Sequence, residues 1–112
     1  MTLLTTAVFR WDGAYWGFLA EDALYDRYGR RVGWLEQNDA FDQTGRFMGE
    51  LTDGHYVLRN RLRSIPVHRN PRPAVPHGTP PAPVPDRQAR DPLDDCTDAL
   101  PWPLPPPDPP TL

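Results

Sequence analysis

A sixteen-residue unit is written three times in the first half of the chain, and this periodicity limits the fold more than any single residue does. Aligning Val8–Ala20 with Leu24–Glu36 and Ala40–Thr52 places glycines in two columns, Gly13, Gly29 and Gly45, then Gly17, Gly33 and Gly49. An aromatic column (Phe9, Tyr25, Phe41) and a leucine column (Leu19, Leu35, Leu51) run beside them. Self-similarity at a fixed period means one supersecondary unit arrayed with copies of itself. In each unit an apolar stretch reaches a polar turn and then resumes, the pattern of a β-hairpin. An Asp opening a type I turn accepts from the backbone two residues on, and a Gly three residues later supplies the left-handed conformation of a G1 bulge. Asp26 with Gly29, and Asp42 with Gly45, fit that geometry; the first unit has Arg10 in the Asp column and Asp12 directly before Gly13.

Counting outward from the turn predicts a register in which Tyr25 faces Arg31, Leu24 faces Val32 and Ala23 faces Gly33. The aromatic, glycine and leucine columns then share one face, while Trp16, Phe18, Val32, Trp34, Met48 and Tyr56 occupy the other. Both faces are apolar, and a barrel buries only one set inside; the other is covered by the tail, by loops or by a second copy, or it receives a ligand or a membrane. The mid-strand glycines Gly17, Gly33 and Gly49 mark bends or close approaches. A fourth first-strand follows at His55–Leu58, but Arg61 stands in its glycine column and Ile65-Pro66-Val67 replaces Gly-x-Leu. Pro66 donates nothing to a ladder, so this strand is expected to be short and at an edge, or Thr2–Thr6 completes the closure. The fold expected is all-β: a shallow closed barrel of about eight short strands built from four pseudo-symmetric hairpins.

Composition divides the chain. All 16 prolines lie from Pro66 onward, whereas three of the four tryptophans and all four tyrosines precede it. Residues 1–67 are therefore expected to form the barrel and residues 68–112 a proline-rich disordered tail. A domain of about 60 residues buries only about 60% of its unfolded surface and needs help from closure, a partner copy or a ligand. Cys96 is the single cysteine, which excludes an intrachain disulfide, and His55, His68 and His77 show no zinc-ligand spacing with it. No metal and no cofactor are implied. The net charge of −3 argues against nucleic acid as a partner. No segment approaches the roughly 20 apolar residues of a membrane span, and Met1–Arg10 lacks the pattern of a leader. The cytoplasm is the expected location, with peripheral membrane attachment as the variant.

Tyr25–Trp34 (YDRYGRRVGW) and Phe41–Glu50 (FDQTGRFMGE) resemble the units of the small bacterial fourfold β-flower proteins, which read aromatic, Asp, two variable residues, Gly, Arg, an apolar residue and Gly. Val8–Ala20 matches more loosely, and Arg63–Pro73 (RSIPVHRNPRP) resembles the tails of such proteins. The resemblance implies a shallow pseudo-fourfold barrel without an established activity. Its shape is similar to the Tubby C-terminal and phospholipid scramblase folds, which implies a lipid-facing role by analogy only. Leu24–Arg30 (LYDRYGR) also resembles the YD repeats of secreted toxin shells, but the strict period and the second glycine column favour the flower.

Asp26 and Asp42 are explained as turn residues. His55 has no nucleophile beside it, and Cys96 stands among carboxylates, the wrong setting for a reactive thiolate. No general base with an orienting partner emerges, so an enzyme is not expected. Trp11, Trp16, Trp34 and Tyr56, with Arg59, Arg61 and Arg63, are the candidate binding residues, as an apolar surface with a cationic rim would suit a hydrophobic ligand or an anionic lipid interface. The competing explanation pairs those arginines with Asp and Glu across the hairpins. In the tail, Pro80–Pro85 and Pro105–Pro110 favour polyproline II, Pro73–Pro76 has the spacing of a PxxP core, and Trp102 is the candidate anchor. The expected function is a non-enzymatic binding module. The alternative is a scaffold that oligomerises through the barrel and recruits a protein partner with its tail.

Overall fold

Three turns of the same design set the architecture. In the computed structural model, which describes residues 5–72, 80–82 and 84–105, the amides of Gly13, Gly29 and Gly45 donate to the carbonyls of Arg10, Asp26 and Asp42 at 2.9, 3.0 and 2.9 Å. Each glycine has a positive φ, between 86° and 97°. Asp26 Oδ1 accepts from the amides of Tyr28 and Arg30, and Asp42 Oδ1 from those of Thr44 and Arg46. In the first turn Asp12 takes over part of this task, accepting from the Ala14 amide at 3.0 Å. That bond is the main reason its carboxyl sits below the ordinary value.

Around these turns the described residues form eight strands: β1 (Thr5–Phe9), β2 (Tyr15–Ala20), β3 (Ala23–Asp26), β4 (Arg31–Glu36), β5 (Asp39–Asp42), β6 (Phe47–Thr52), β7 (Tyr56–Asn60) and β8 (Cys96–Asp98). Each pairs antiparallel with the next in chain order, and β1 closes on β7 through a parallel bridge between Phe9 and Tyr56. The expected all-β closed barrel is what forms. The N-terminal strand thus closes on the start of β7, and the partner for the end of β7 is not residues 62–67 but Cys96–Asp98, with Arg59 opposite Thr97. The first half of β7 holds β1 and its second half holds β8, so one strand edge serves both.

The predicted register holds next to the turn and then slips by one residue. Tyr25 pairs with Arg31, but Leu24 pairs with Gly33 and Ala23 with Trp34, leaving Val32 unmatched. The same slip leaves Trp16 unmatched between β1 and β2 and Met48 between β5 and β6. A bulge adds one residue to one strand, so the face of everything beyond it is exchanged. The consequence corrects the expected faces. Trp16, Val32 and Met48 join the leucine column, with Val8, Leu24, Ala40 and Val57, in one cluster fed by all seven barrel strands. Phe18 and Trp34 remain on the other face, where they stack on the aromatic column: Phe18 on Tyr25 at 5.0 Å and Trp34 on Phe41 at 5.9 Å between centroids.

The second glycine column is explained by close approach. A Cβ on Gly17 would lie 2.0 Å from the Tyr25 carbonyl oxygen, and one on Gly33 would lie 2.0 Å from that of Phe41. Residues assigned by composition to the tail also reach the barrel. Leu100 is 4% exposed within the interior cluster, and the Trp16 indole donates to the Pro101 carbonyl at 2.9 Å. The PxxP segment Pro73–Pro76, Pro83 within Pro80–Pro85, all of the run after Pro105, and Thr2–Leu4 lie outside the described residues.

Candidate functional site

The seam where β1, β7 and β8 meet leaves a cleft of about 340 Å³. Trp11, Leu58, Leu93 and Cys96 supply its apolar lining, with Arg90 and Asp98 among its polar groups. Leu58 faces Asp98 across the β7–β8 pair. The Asp98 carboxylate fastens the seam, since one oxygen accepts from the Trp11 amide at 2.7 Å and the other lies 3.6 Å from the Arg10 guanidinium. The Trp11 indole donates to the Asp91 carbonyl at 2.7 Å and packs edge-on against Tyr56 at 5.1 Å. A wider and more open depression of about 580 Å³ shares Trp11, Ala89, Arg90 and Leu93 with the cleft and reaches Asp53.

Of the candidate binding residues named from sequence, Trp11 alone borders this cleft. Trp16 and Trp34 are 0% and 1% exposed and Tyr56 is 3% exposed, so these three are packing residues and not a surface. The reason is the bulge, which turns Trp16 inward, together with arginines that cover the outer aromatics. Arg72 lies 4.2 Å over Trp34, and Arg90 lies 5.2 Å over Tyr56. The three arginines after Leu58 are engaged within the protein. Arg59 and Arg63 lie over Phe47, each at 5.3 Å, and Arg61 pairs with Asp95 at 2.9 Å. Arg63 grips Asp39 through both terminal nitrogens and also reaches Glu50, contacts that hold its guanidinium above the ordinary value. Trp102 is 44% exposed, with Arg10 5.0 Å over its ring.

Leu58 and Leu93 were missed by sequence reasoning, and Cys96 was weighed only as a reactive thiol or a metal ligand and not as part of an apolar wall. Leu58 had a signal, as it follows the fourth aromatic-bearing strand start. Leu93 and Cys96 had none, because nothing local announces that a segment 35 residues downstream returns to pair with β7. Chemically the cleft offers an aromatic edge, aliphatic walls, a thiol and the charged groups Arg90 and Asp98, whose salt-bridge partners Asp53 and Arg10 lie outside it. Among the described residues no group of three or more His, Cys, Asp or Glu is placed to hold a metal ion, and no helix is long and apolar enough to cross a membrane.

No curated protein and no solved structure matches the chain. A model of the 4-fold beta flower protein family matches residues 6–111, which takes in the barrel and nearly all of the proline-rich segment. The repeated Asp–Gly turns, the sequential antiparallel order and the closure of β1 on β7 fit that description, and the chain belongs to the 4-fold β-flower family.

Proposed function

We propose that the chain is a non-enzymatic binding module whose seam cleft receives one small apolar ligand. The observation that carries this is the cleft itself: about 340 Å³, walled by Trp11, Leu58, Leu93 and Cys96, with few polar groups. That volume falls in the range of small-molecule sites, and the mix of apolar walls with a few fixed polar atoms is their usual chemistry. A membrane surface is the less favoured occupant. Trp16, Trp34 and Tyr56 are buried, and Arg59 and Arg63 face the protein's own rings and carboxylates, which leaves Arg61, 74% exposed beside Asp95, as the most accessible of the three cations.

The alternative, a scaffold that oligomerises and recruits partners, draws support from a different observation. Leu62, Ile65 and Val67, directly after β7, are 72%, 63% and 78% exposed. Native mass spectrometry with 1-decanol as the probe separates the two. The binding module predicts a monomer that takes up one decanol saturably, and loss of that uptake in Thr97→Trp, which fills the cleft from β8 while leaving the circular dichroism unchanged. Absence of saturable uptake by the wild-type chain, or uptake unaffected by the filled cleft, removes the ligand proposal; multiples of the chain without decanol favour the scaffold.

A further inference from the structure

Two segments of the proline-rich region dock on the barrel in the same way. Arg69-Asn70-Pro71-Arg72 lies on the third hairpin: the Arg69 amide donates to the Gly45 carbonyl at 2.8 Å and the Arg72 amide to that of Gln43 at 3.0 Å. Arg87-Gln88-Ala89-Arg90 lies on the first hairpin, where the Arg87 amide donates to Gly13 at 2.7 Å and the Arg90 amide to Trp11 at 3.0 Å. Gly13 and Gly45, and likewise Trp11 and Gln43, occupy equivalent repeat positions.

The side chains repeat the match. The first arginine covers the aromatic column, Arg69 over Phe41 at 4.7 Å and Arg87 over Phe9 at 4.2 Å. The second covers an aromatic of a neighbouring hairpin, Arg72 over Trp34 and Arg90 over Tyr56, and Arg90 lies closer still over Trp11 of the first hairpin at 4.4 Å. The second arginine then reaches a carboxylate in the connection before the neighbouring hairpin, Asp22 at 3.8 Å for Arg72 and Asp53 at 2.6 Å for Arg90. Glycine is required at both turns for a second reason besides its φ. A Cβ would come within 1.9 Å of the Arg87 carbonyl oxygen at Gly13 and within 1.8 Å of the Arg69 oxygen at Gly45. At the first hairpin, Asp86 adds a contact by accepting from the Tyr15 amide at 2.8 Å.

We propose that the hairpin turn of this barrel is a receptor for extended Arg-x-x-Arg strands, that the first-hairpin site selects Asp-Arg-x-x-Arg, and that residues 86–90 are a tethered ligand which a partner protein's strand of the same chemistry displaces. The site reads two backbone N–H groups, two planar cations and one carboxylate, all from features that a second polypeptide can present. This goes beyond the apolar cleft, whose wall includes Ala89 and Arg90, so displacing residues 86–90 would also open that cleft. A tethered strand competes at an effective concentration in the millimolar range, so free peptide binds measurably only where the tether has been disarmed.

The test uses the full chain with Arg87→Ala and Arg90→Ala, and the capped peptide VPDRQARDP, titrated by calorimetry and by amide chemical shifts at Gly13 and Ala14. The disarmed chain binds the peptide, with shifts confined to the first hairpin, at least tenfold more tightly than the wild-type chain does. Replacing both peptide arginines by lysine lowers the affinity at least fivefold, because the flat stacking surface is lost while the charge is kept. Failure of the disarmed chain to bind while its near-ultraviolet circular dichroism matches wild type would overturn the proposal. So would equal binding by the wild-type chain, or equal binding of the lysine peptide, which would show attraction by charge alone.

Discussion

Replacing Leu100 by Ala should destabilise this protein as a core substitution does, although Leu100 lies more than thirty residues beyond the last barrel strand in a proline-rich stretch. Its side chain is 4% exposed and packs in the cluster that holds Val8, Trp16, Leu24 and Val57. Truncating a buried leucine to alanine costs about 2–5 kcal/mol, rising with the cavity that survives relaxation. Leu100 enters from a chain segment and not from a barrel strand, and Ala99 and Leu104, packed against the same cluster, are only partly buried. The lower part of the range, about 2–3 kcal/mol, is therefore expected. In a domain of this size each kcal/mol moves the midpoint by about 4–8 °C, so melting should fall by about 10–20 °C. Urea unfolding followed by tryptophan fluorescence measures the change directly, with an unchanged m-value showing that the unfolded reference is the same. Leu93→Ala, at a 44% exposed position, is the control and should cost no more than about 0.5 kcal/mol. A Leu100→Ala cost no greater than that of the control would refute the claim that the C-terminal segment completes the core.

Gly33→Ala should cost about 3 kcal/mol or more, because its Cβ would meet the Phe41 carbonyl oxygen at 2.0 Å and only separation of β4 from β5 relieves the clash. Gly54→Ala meets open space and is strained only by its φ of 74°, so about 1–2 kcal/mol is expected; chemical denaturation giving the reverse order would show that the strands are not so close. Burial pushes the Tyr15 hydroxyl above its ordinary value of 10.0, opposed by the nearby Arg27 charge. A group whose pKa is raised by folding contributes stability that is present below the unfolded value and lost as pH rises through the folded one. Urea midpoints measured from pH 8 to 11 should therefore fall more steeply for wild type than for Tyr15→Phe, and parallel curves would contradict the assignment.

Much of the local architecture was legible because its causes are local. Asp26 and Asp42 open their turns and Gly29 and Gly45 close them within four residues, and such chemistry can be recognised from types and spacing alone. The candidate site was hardly legible. Trp11 was identified for its aromatic side chain, but Leu58, Leu93 and Cys96 are brought beside it by a pairing between β7 and residues 96–98 that leaves no mark in either segment. The burial of Trp16 turned on a slip of one residue, which exchanges the faces of a strand and cannot be seen in a pattern of period two.

The sequence by itself determined the repeat, the hairpins, the turn chemistry and the membership of an all-β barrel, since each depends on interactions within a few residues or on the recurrence of one unit. Tertiary structure decided which face looks inward, that Leu100 belongs to the interior and that the arginines of residues 69–90 lie over the aromatics of the hairpins. The physical reason is range. A bulge is fixed by strands competing for one interior, and a returning segment is held by amide and guanidinium contacts on carbonyls and rings up to 79 residues away, as Arg90 is on Trp11.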